Sequence, residues 1–183
     1  LPEILDGDLE ILKKGITDSL SISYYMSTIS HYGEESLTNI NDVVIKKNPY
    51  LEMSEFGWTI DPIGLRITLR QLYDRYEMPI YIVENGFGYD DQIIDGKIED
   101  DYRIDYMKKH IEQMKLAVKE GVDCRGYLAW GPVDILSSRA QMKKRYGMIY
   151  VNRDNHDLKD MKRIKKKSFD WFKQVIESNG EIL

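Results

Sequence analysis

The chain has 183 residues, 42% of them hydrophobic, as is typical of a folded protein of one or two domains. Its net charge of -5 argues against general nucleic-acid binding, which needs an excess of positive charge facing the phosphates. No apolar run approaches the roughly 20 residues of a membrane span. The single cysteine, Cys124, cannot form an internal disulfide, and a reducing compartment is compatible with this count. We expect a soluble cytoplasmic protein.

The first third of the chain predicts a helix, a strand and a long loop. Asp6 to Lys14 has acidic residues at its start and lysines at its end, which is typical of a short helix. Ser19 to Tyr25 alternates small polar and apolar residues and predicts a strand that ends in two tyrosines. Residues 26 to 57 show no periodicity, and we expect a long loop there, of the kind that often has a function.

The next helix and strand lead to a carboxylate at the end of the strand. Pro62 to Tyr76 begins with proline and has an apolar face at helical spacing. The apolar run Pro79 to Val83 then predicts a strand buried on both faces, and we interpret the following Asn85-Gly86 as turn chemistry that stops it. Glu84 therefore lies at the C-terminal end of a strand, where α/β proteins place catalytic groups. The alternative is an ordinary strand followed by an exposed glutamate.

A second helix and a third strand follow. Ile104 to Val118 has apolar residues three and four positions apart, and Gly121 ends this helix. His110 lies beside the apolar face, and we expect a packed histidine there rather than a catalytic one. Cys124 to Trp130 predicts the third strand.

The end of the chain predicts a hairpin and a helix. The hairpin is expected around Met148 to Val151, with its turn at Asn152 to Asp157. Lys165 to Ser178 predicts a helix with the inward residues Phe169, Phe172 and Ile176. We interpret the three lysines at 165 to 167 as the solvated face of this helix.

The repeated order of strand and helix predicts a parallel sheet with right-handed crossovers. Three strand ends then lie side by side and carry Tyr25, Glu84 and Trp130. These side chains suit a sugar site, because aromatic faces pack on a pyranose ring and a carboxylate can attack the anomeric carbon or move protons. The alternative is that both aromatic residues belong to the core.

These residues resemble the C-terminal part of family 1 glycoside hydrolases, the retaining β-glycosidases built on an eight-stranded (β/α) barrel. Ile82 to Gly88 is similar to the family's nucleophile motif on the seventh strand, which makes Glu84 the implied nucleophile. Ser23-Tyr24-Tyr25 resembles the sixth-strand motif, whose second tyrosine contacts the nucleophile, although Ser23 stands where the family has Asn. Trp130 to Ser138 resembles the eighth-strand motif, whose tryptophan packs on the sugar.

The resemblance covers nearly the whole chain. It implies that residues 1–183 are the C-terminal portion of a single (β/α)8 barrel domain, about its last three β/α units. The chain starts at Leu1 rather than Met, and it contains no Asn-Glu-Pro, the motif that carries the family's acid/base carboxylate. We therefore expect a fragment that is inactive alone. Its open strand edges favour self-association or pairing with the missing N-terminal half.

One departure from the family pattern points to a phosphorylated substrate. Ordinary β-glucosidases of the family have Glu and Trp where this chain has Ser137 and Ser138, and a carboxylate there would repel a phosphate. Ser137, Lys144 and Tyr146 are similar to the phosphate-binding set of the 6-phospho-β-glycosidase subgroup, and we call them the phosphate clasp. The alternative is that residues 143 to 145 form a solvated basic patch. The small Ser138 favours phosphoglucosides over phosphogalactosides, with overlap expected.

The resulting hypothesis is retaining hydrolysis of 6-phospho-β-glucosides, either phosphorylated cellobiose or aryl glucosides, in carbohydrate catabolism. No cofactor or metal is expected, since neither displacement step needs one. The alternatives are an ordinary β-glucosidase and a non-catalytic phosphosugar-binding or structural fragment. Nucleic-acid binding by the C-terminal basic run is disfavoured because no aromatic residue interleaves it. The implied catalytic residues are Glu84 and Tyr25, and the implied substrate-binding residues are Trp130, Ser137, Lys144 and Tyr146.

Overall fold

A computed structural model describes residues 3–29 and 48–183, so residues 30–47 of the predicted long loop lie outside the described part. The elements follow the predicted order. They are α1 (Asp8–Lys14), β1 (Leu20–Ser23), α2 (Pro62–Tyr76), β2 (Ile80–Asn85), α3 (Asp101–Lys119), β3 (Cys124–Ala129), β4 (Ile149–Val151), β5 (Arg163–Lys165) and α4 (Lys167–Glu177). In the described part of the chain, no helix is both long and apolar enough to cross a membrane.

The three longer strands form one parallel sheet in the order β1-β2-β3, which confirms the predicted parallel arrangement. The connections between the strands run through α2 and α3. The main core lies between the sheet and these helices, because the leucine face of α2 packs on the buried face of β2. Its fully buried members include Leu65, Leu69, Ile80, Ile82 and Ala117.

The prediction that β2 is covered on both faces is wrong for this chain. Ile80 and Ile82 are fully buried, but the Val83 side chain is 36% exposed. Successive side chains of a strand point to opposite faces, and helices cover only the face that carries the two isoleucines.

The C-terminal hairpin has a longer connection than predicted. Strands β4 and β5 pair antiparallel, with Val151 opposite Arg163, so residues 152 to 162 connect them. The predicted turn forms only part of this connection, closed by the Asp154 N–H donating to the Asp157 carbonyl at 2.8 Å. The prediction of a turn confined to 152–157 was therefore wrong, because pairing resumes only after the Asn152 N–H donates to the Lys162 carbonyl at 2.8 Å.

Helix α4 buries a slightly different face from the predicted one. Phe169 and Phe172 pack against a second core cluster, as predicted. Ile176, however, is 65% exposed, and Val175 is the buried residue. Residues 168, 172 and 175 lie on one face of the helix, whereas Ile176 is rotated about 100° from Val175.

The lysine run before α4 is not simply a solvated face. The Lys166 side chain is fully buried, and its ammonium donates to Asp134 Oδ1 at 2.8 Å and also to Asp91 Oδ2. Arg145 pairs with Asp134 at 3.0 Å, and Arg103 pairs with Asp91 at 3.1 Å. The prediction failed for Lys166 because its partners lie far away in the sequence, on the connections that follow β2 and β3.

Arg103 also pairs with Asp100, and Asp100 accepts a hydrogen bond from the Ser168 backbone N–H at 2.8 Å. We call these six buried charged residues the ion cluster: Asp91, Asp100, Arg103, Asp134, Arg145 and Lys166. The cluster ties the start of α4 to α3 and to both connections that leave the sheet. Its three positive and three negative side chains balance one another.

We expect Lys166→Met to lower the free energy of unfolding by about 3 kcal/mol, because removing one member of a buried ion pair leaves uncompensated charge. Urea unfolding followed by circular dichroism measures this change. Lys167→Met is the matched control: Lys167 pairs with Asp101 at the surface and should contribute less than about 1 kcal/mol. Equal effects of the two variants would contradict the role assigned to the ion cluster.

Candidate active site

Glu84 occupies the centre of the sheet's C-terminal edge. It is half-buried in β2, and the two flanking strands are followed by Tyr25, two residues after the end of β1, and by Trp130, directly after the end of β3. The Tyr25 hydroxyl donates a hydrogen bond to Glu84 Oε2 at 3.0 Å. Burial and the neighbouring Glu84 carboxylate raise the pKa of Tyr25, so its hydroxyl remains a donor. The structure thus brings together the tyrosine and the carboxylate that the sequence analysis paired.

Asn85 is not a turn residue, which corrects the sequence interpretation. It is the last residue of β2 and is fully buried, and its carbonyl accepts a hydrogen bond from the Trp130 N–H at 2.8 Å. Its side-chain amide donates to the Tyr24 carbonyl at 2.7 Å and accepts from the Tyr127 hydroxyl at 2.6 Å. The side chain next to Glu84 therefore joins all three strand ends.

Gly86 also has a role other than the predicted turn. A Cβ atom at this position would lie 2.2 Å from the Trp130 carbonyl oxygen, so only glycine lets the two backbones approach this closely. The peptide bond between Trp130 and Gly131 is cis. The half-buried Trp130 lies directly beside the end of β2, but its predicted contact with a sugar stays a prediction.

Tyr106 of α3 stabilises the same site through hydrogen bonds, and the sequence analysis missed this residue. Its hydroxyl donates to the Tyr25 carbonyl at 2.8 Å and accepts from the Asn85 amide at 3.2 Å. A tyrosine on the buried face of a helix needs a hydrogen-bond partner, and this was the available signal. His110 is buried beneath it, as predicted, with Nδ1 2.7 Å from the Tyr106 carbonyl. Burial lowers the pKa of His110 to about 4.

The phosphate clasp is partly assembled. Lys144 and Tyr146 are buried beside each other, with the lysine Nζ 5.5 Å from the tyrosine ring centroid. Burial raises the pKa of Tyr146 to about 12, so its hydroxyl can donate at neutral pH. Ser137 is also buried, but its hydroxyl accepts from the Gln141 N–H at 3.1 Å. Among the described residues, no hydrogen bond joins Ser137 to the other two members.

The three basic residues at 143 to 145 lie in three different environments. Lys143 is exposed and pairs with Asp90 at 3.0 Å, whereas Arg145 belongs to the buried ion cluster. Lys144 is buried and has no carboxylate partner in the described part of the chain. Burial, together with the positive charge of Arg139, lowers the pKa of Lys144 to about 8. A solvated patch therefore describes only Lys143.

Aromatic rings take the place of a counterion around Lys144. Its Nζ lies 3.4 Å from the Trp58 ring centroid and 5.3 Å from that of Phe56. The Trp58 ring also meets the Tyr25 ring edge-on, with 5.3 Å between centroids. The sequence analysis missed both residues, because Phe56 lies at the end of the stretch without periodicity (residues 26 to 57) and Trp58 directly follows it.

Asp134 is a further residue that sequence reasoning missed. Besides its two buried ion pairs, it accepts a hydrogen bond from the Gly147 N–H at 2.9 Å. It thereby anchors the backbone directly after Tyr146. Among residues 3–29 and 48–183, no group of three or more His, Cys, Asp or Glu side chains is arranged to hold a metal ion.

The profile of glycosyl hydrolase family 1 matches residues 1–181. The chain belongs to this family. The aryl-phospho-beta-D-glucosidase BglH of Bacillus subtilis is 51% identical over 185 residues, which cover 99% of this chain and 39% of that protein. The 6-phospho-beta-glucosidase AscB of Escherichia coli is 45% identical, and the match covers 97% of this chain and 38% of that protein.

A comparison with solved structures shows which fold this chain is part of. The beta-glucosidase from Thermotoga maritima in complex with noeuromycin has a TM-score of 0.83 and 31% identity, and the match covers 98% of this chain and 39% of that chain. The three β/α units are therefore a portion of a (β/α)8 barrel, as predicted. The chain spans about 39% of the length of the family 1 proteins it matches.

We expect Tyr106→Phe to lower the free energy of unfolding by about 1 to 2 kcal/mol, because it removes one partner each from the buried Asn85 amide and the Tyr25 carbonyl. Tyr76→Phe at the exposed end of α2 is the matched control and should change stability by less than about 0.5 kcal/mol. Both values come from urea titrations of the purified chain. If Tyr106→Phe left the free energy of unfolding unchanged, the hydrogen bonds of this hydroxyl would not stabilise the site.

Proposed function

We propose that this chain carries the nucleophile and the phosphate clasp of a retaining 6-phospho-β-glucosidase that acts on phosphorylated cellobiose or aryl β-glucosides. The observation that carries the proposal is Lys144, a lysine that is largely buried and whose ammonium faces aromatic rings instead of a carboxylate. Burying a charge without a counterion is costly, and a bound phosphate would supply the missing negative charge. The names of the relatives BglH and AscB agree with this substrate class.

Glu84 acts as the nucleophile in this proposal. The Tyr25 hydroxyl holds Oε2 of the carboxylate, which leaves Oε1 to attack the anomeric carbon and form a glycosyl-enzyme ester. The glycosidic bond breaks as the ester forms, and a second carboxylate protonates the leaving oxygen. Water, deprotonated by that carboxylate, then hydrolyses the ester and releases Glu84. Tyr25 also donates to the negative charge and so keeps the carboxylate oriented. Trp130 packs on the sugar from the neighbouring strand end.

The acid/base carboxylate comes from outside this chain in the proposal. It should lie about 5 Å from the nucleophile in a retaining enzyme. The family motif Asn-Glu-Pro does not occur among the 183 residues, so we infer that the chain alone has no normal turnover. In the described residues β1 and β3 each pair on one side only, and we infer that a complementary barrel portion or a second copy pairs there.

The phosphate lies against the clasp. Ser137 and Tyr146 contribute hydroxyl donors, and Lys144 contributes a charge-assisted contact to a dianionic oxygen. A glutamate in place of Ser137 would put a buried negative charge beside the phosphate. The serine therefore removes repulsion as well as supplying a donor.

The test joins this chain to the barrel portion that precedes the matched region in BglH. We expect this chimera to hydrolyse p-nitrophenyl 6-phospho-β-glucoside and to prefer it to the unphosphorylated analogue, while the purified chain alone shows no turnover.

In the chimera, Ser137→Glu should lower kcat/KM on the phosphorylated substrate by about 100-fold, since like charges in a shielded site cost several kcal/mol. Gln71→Glu on the exposed face of α2 is the matched control for an added negative charge and should lose much less. A chimera that prefers the unphosphorylated substrate would establish an ordinary β-glucosidase instead.

We also expect the affinity for glucose 6-phosphate to depend on the charge of Lys144. Because its pKa is lowered to about 8, the ammonium is charged below this pH and loses its proton above it. Affinity should therefore be nearly constant from about pH 6, where the phosphate becomes a dianion, to pH 8 and should then fall by up to about tenfold per pH unit. Isothermal titration of the chimera between pH 6 and 10 measures this, and Lys144→Met should remove the decline. A decline that persists in Lys144→Met would assign it to another group.

A further inference from the structure

We propose that Trp58 is a positioning residue for Lys144, and that it thereby determines the selectivity for phosphorylated over unphosphorylated sugars. The inference rests on the proposed function. Its central observation is that Lys144 Nζ lies 3.4 Å from the Trp58 ring centroid, closer than to any other ring near it. An indole attracts an ammonium through its negative face without neutralising it.

The ring of Trp58 lies between the two parts of the site. It meets the ring of Tyr25, whose hydroxyl holds Glu84. It also contacts Lys144 and approaches Tyr146, with 6.3 Å between the ring centroids of Trp58 and Tyr146. One rigid side chain therefore sets the spacing between the nucleophile's tyrosine and the phosphate clasp.

The backbone that carries Trp58 is itself held in place. The Trp58 N–H donates to the Ser54 hydroxyl at 3.1 Å, and the Trp58 carbonyl accepts from the Ser54 N–H at 2.8 Å. The next residue, Thr59, is buried, and its hydroxyl donates to the Ser27 carbonyl at 2.6 Å. The turn is thus attached to the segment that follows Tyr25, so the indole is a fixed platform.

Gly88 confines Lys144 from the opposite direction. A Cβ atom on Gly88 would lie 2.7 Å from Cε of Lys144 and 3.0 Å from a ring carbon of Tyr146. The lysine stem therefore runs along the bare backbone four residues after Glu84, while its ammonium faces Trp58. Held from both sides, the charge keeps a set distance from the nucleophile.

An uncharged side chain at position 58 affects how Lys144 can bind an anion. A carboxylate at this place would neutralise Lys144 and compete with a phosphate, as Asp134 does in holding Arg145. The indole keeps the ammonium oriented and leaves its charge available to an anion. Loss of the ring should therefore weaken the binding of phosphorylated ligands and leave the binding of neutral sugars unchanged.

The experiment measures binding of glucose 6-phosphate and of glucose to the full 183-residue chain by NMR titration. We expect Trp58→Leu to raise the Kd for glucose 6-phosphate about tenfold, with no change for glucose, and Trp58→Phe to retain most of the affinity. In a Lys144→Met background, Trp58→Leu should cause no further loss. Trp171→Leu in α4 is the matched control for removing an indole and should leave both affinities unchanged.

The outcomes separate this inference from the proposed function. If the unaltered chain does not bind glucose 6-phosphate in preference to glucose, the proposed function fails and this inference with it. If it does, but Trp58→Leu weakens the binding of both ligands equally or adds its full effect to that of Lys144→Met, then Trp58 contacts the sugar directly and only this inference fails.

A second variant covers the case in which Trp58→Leu does not fold. Gly88→Ala would displace Lys144 by placing a Cβ atom against its side chain. It should raise the Kd for glucose 6-phosphate selectively, and an unchanged Kd would overturn the inference.

Discussion

Six buried charges hold the C-terminal part of this molecule together. Lys166, at the start of α4, reaches two aspartates on the connections that leave β2 and β3. The two arginines of the ion cluster complete the balance, and Arg103 Nη2 also donates to the Arg145 carbonyl at 3.0 Å. Breaking one of these buried ion pairs would leave an uncompensated charge at a cost of about 3 to 5 kcal/mol, so the cluster strongly favours one arrangement of these segments. Because it lies directly behind the candidate site, that arrangement also determines where the phosphate clasp can be.

The path of the chain from 143 to 146 follows from this constraint. Arg145 enters the ion cluster, whereas its neighbour Lys144 faces Trp58 and Phe56 and its neighbour Tyr146 approaches Trp58, as alternate residues of an extended segment do. One short basic run is thereby divided between the ion cluster and a set of aromatic rings. Arg145 has a carboxylate partner and braces the fold, whereas Lys144 has only aromatic faces and stays available to an anion. Burial and the positive charge of Arg139 lower the pKa of Lys144.

Local patterns in the sequence predict the helices, the strands and the residues at the strand ends. The residues that were assigned wrongly are those whose environment depends on contacts with distant parts of the sequence. Helix α2 was predicted with its observed bounds, because proline at its start and leucines at helical spacing act within a few residues. Parallel strands that end at the same edge predicted that Tyr25 and Glu84 lie side by side, and the family resemblance implied the contact that the structure shows. Asn85 and Lys166 were misread for the opposite reason. Their sequence neighbours favour a turn and a solvated face, but their partners come from separate elements, in the case of Lys166 from residues 32 and 75 positions away.

The two parts of the site depend on different portions of the fold. Glu84 is oriented from within the sheet, through Tyr25, Asn85 and Tyr106, whereas the clasp depends on the ion cluster. Both supports lie entirely within the described residues, although the chain spans only 39% of the length of its family 1 relatives. A barrel allows this because each β/α unit brings its own strand end and its own helix to the common edge. The geometry around Glu84 and Lys144 is therefore set locally. Under the proposed function, a complementary barrel portion would contribute a carboxylate across the edge without having to shape either side chain.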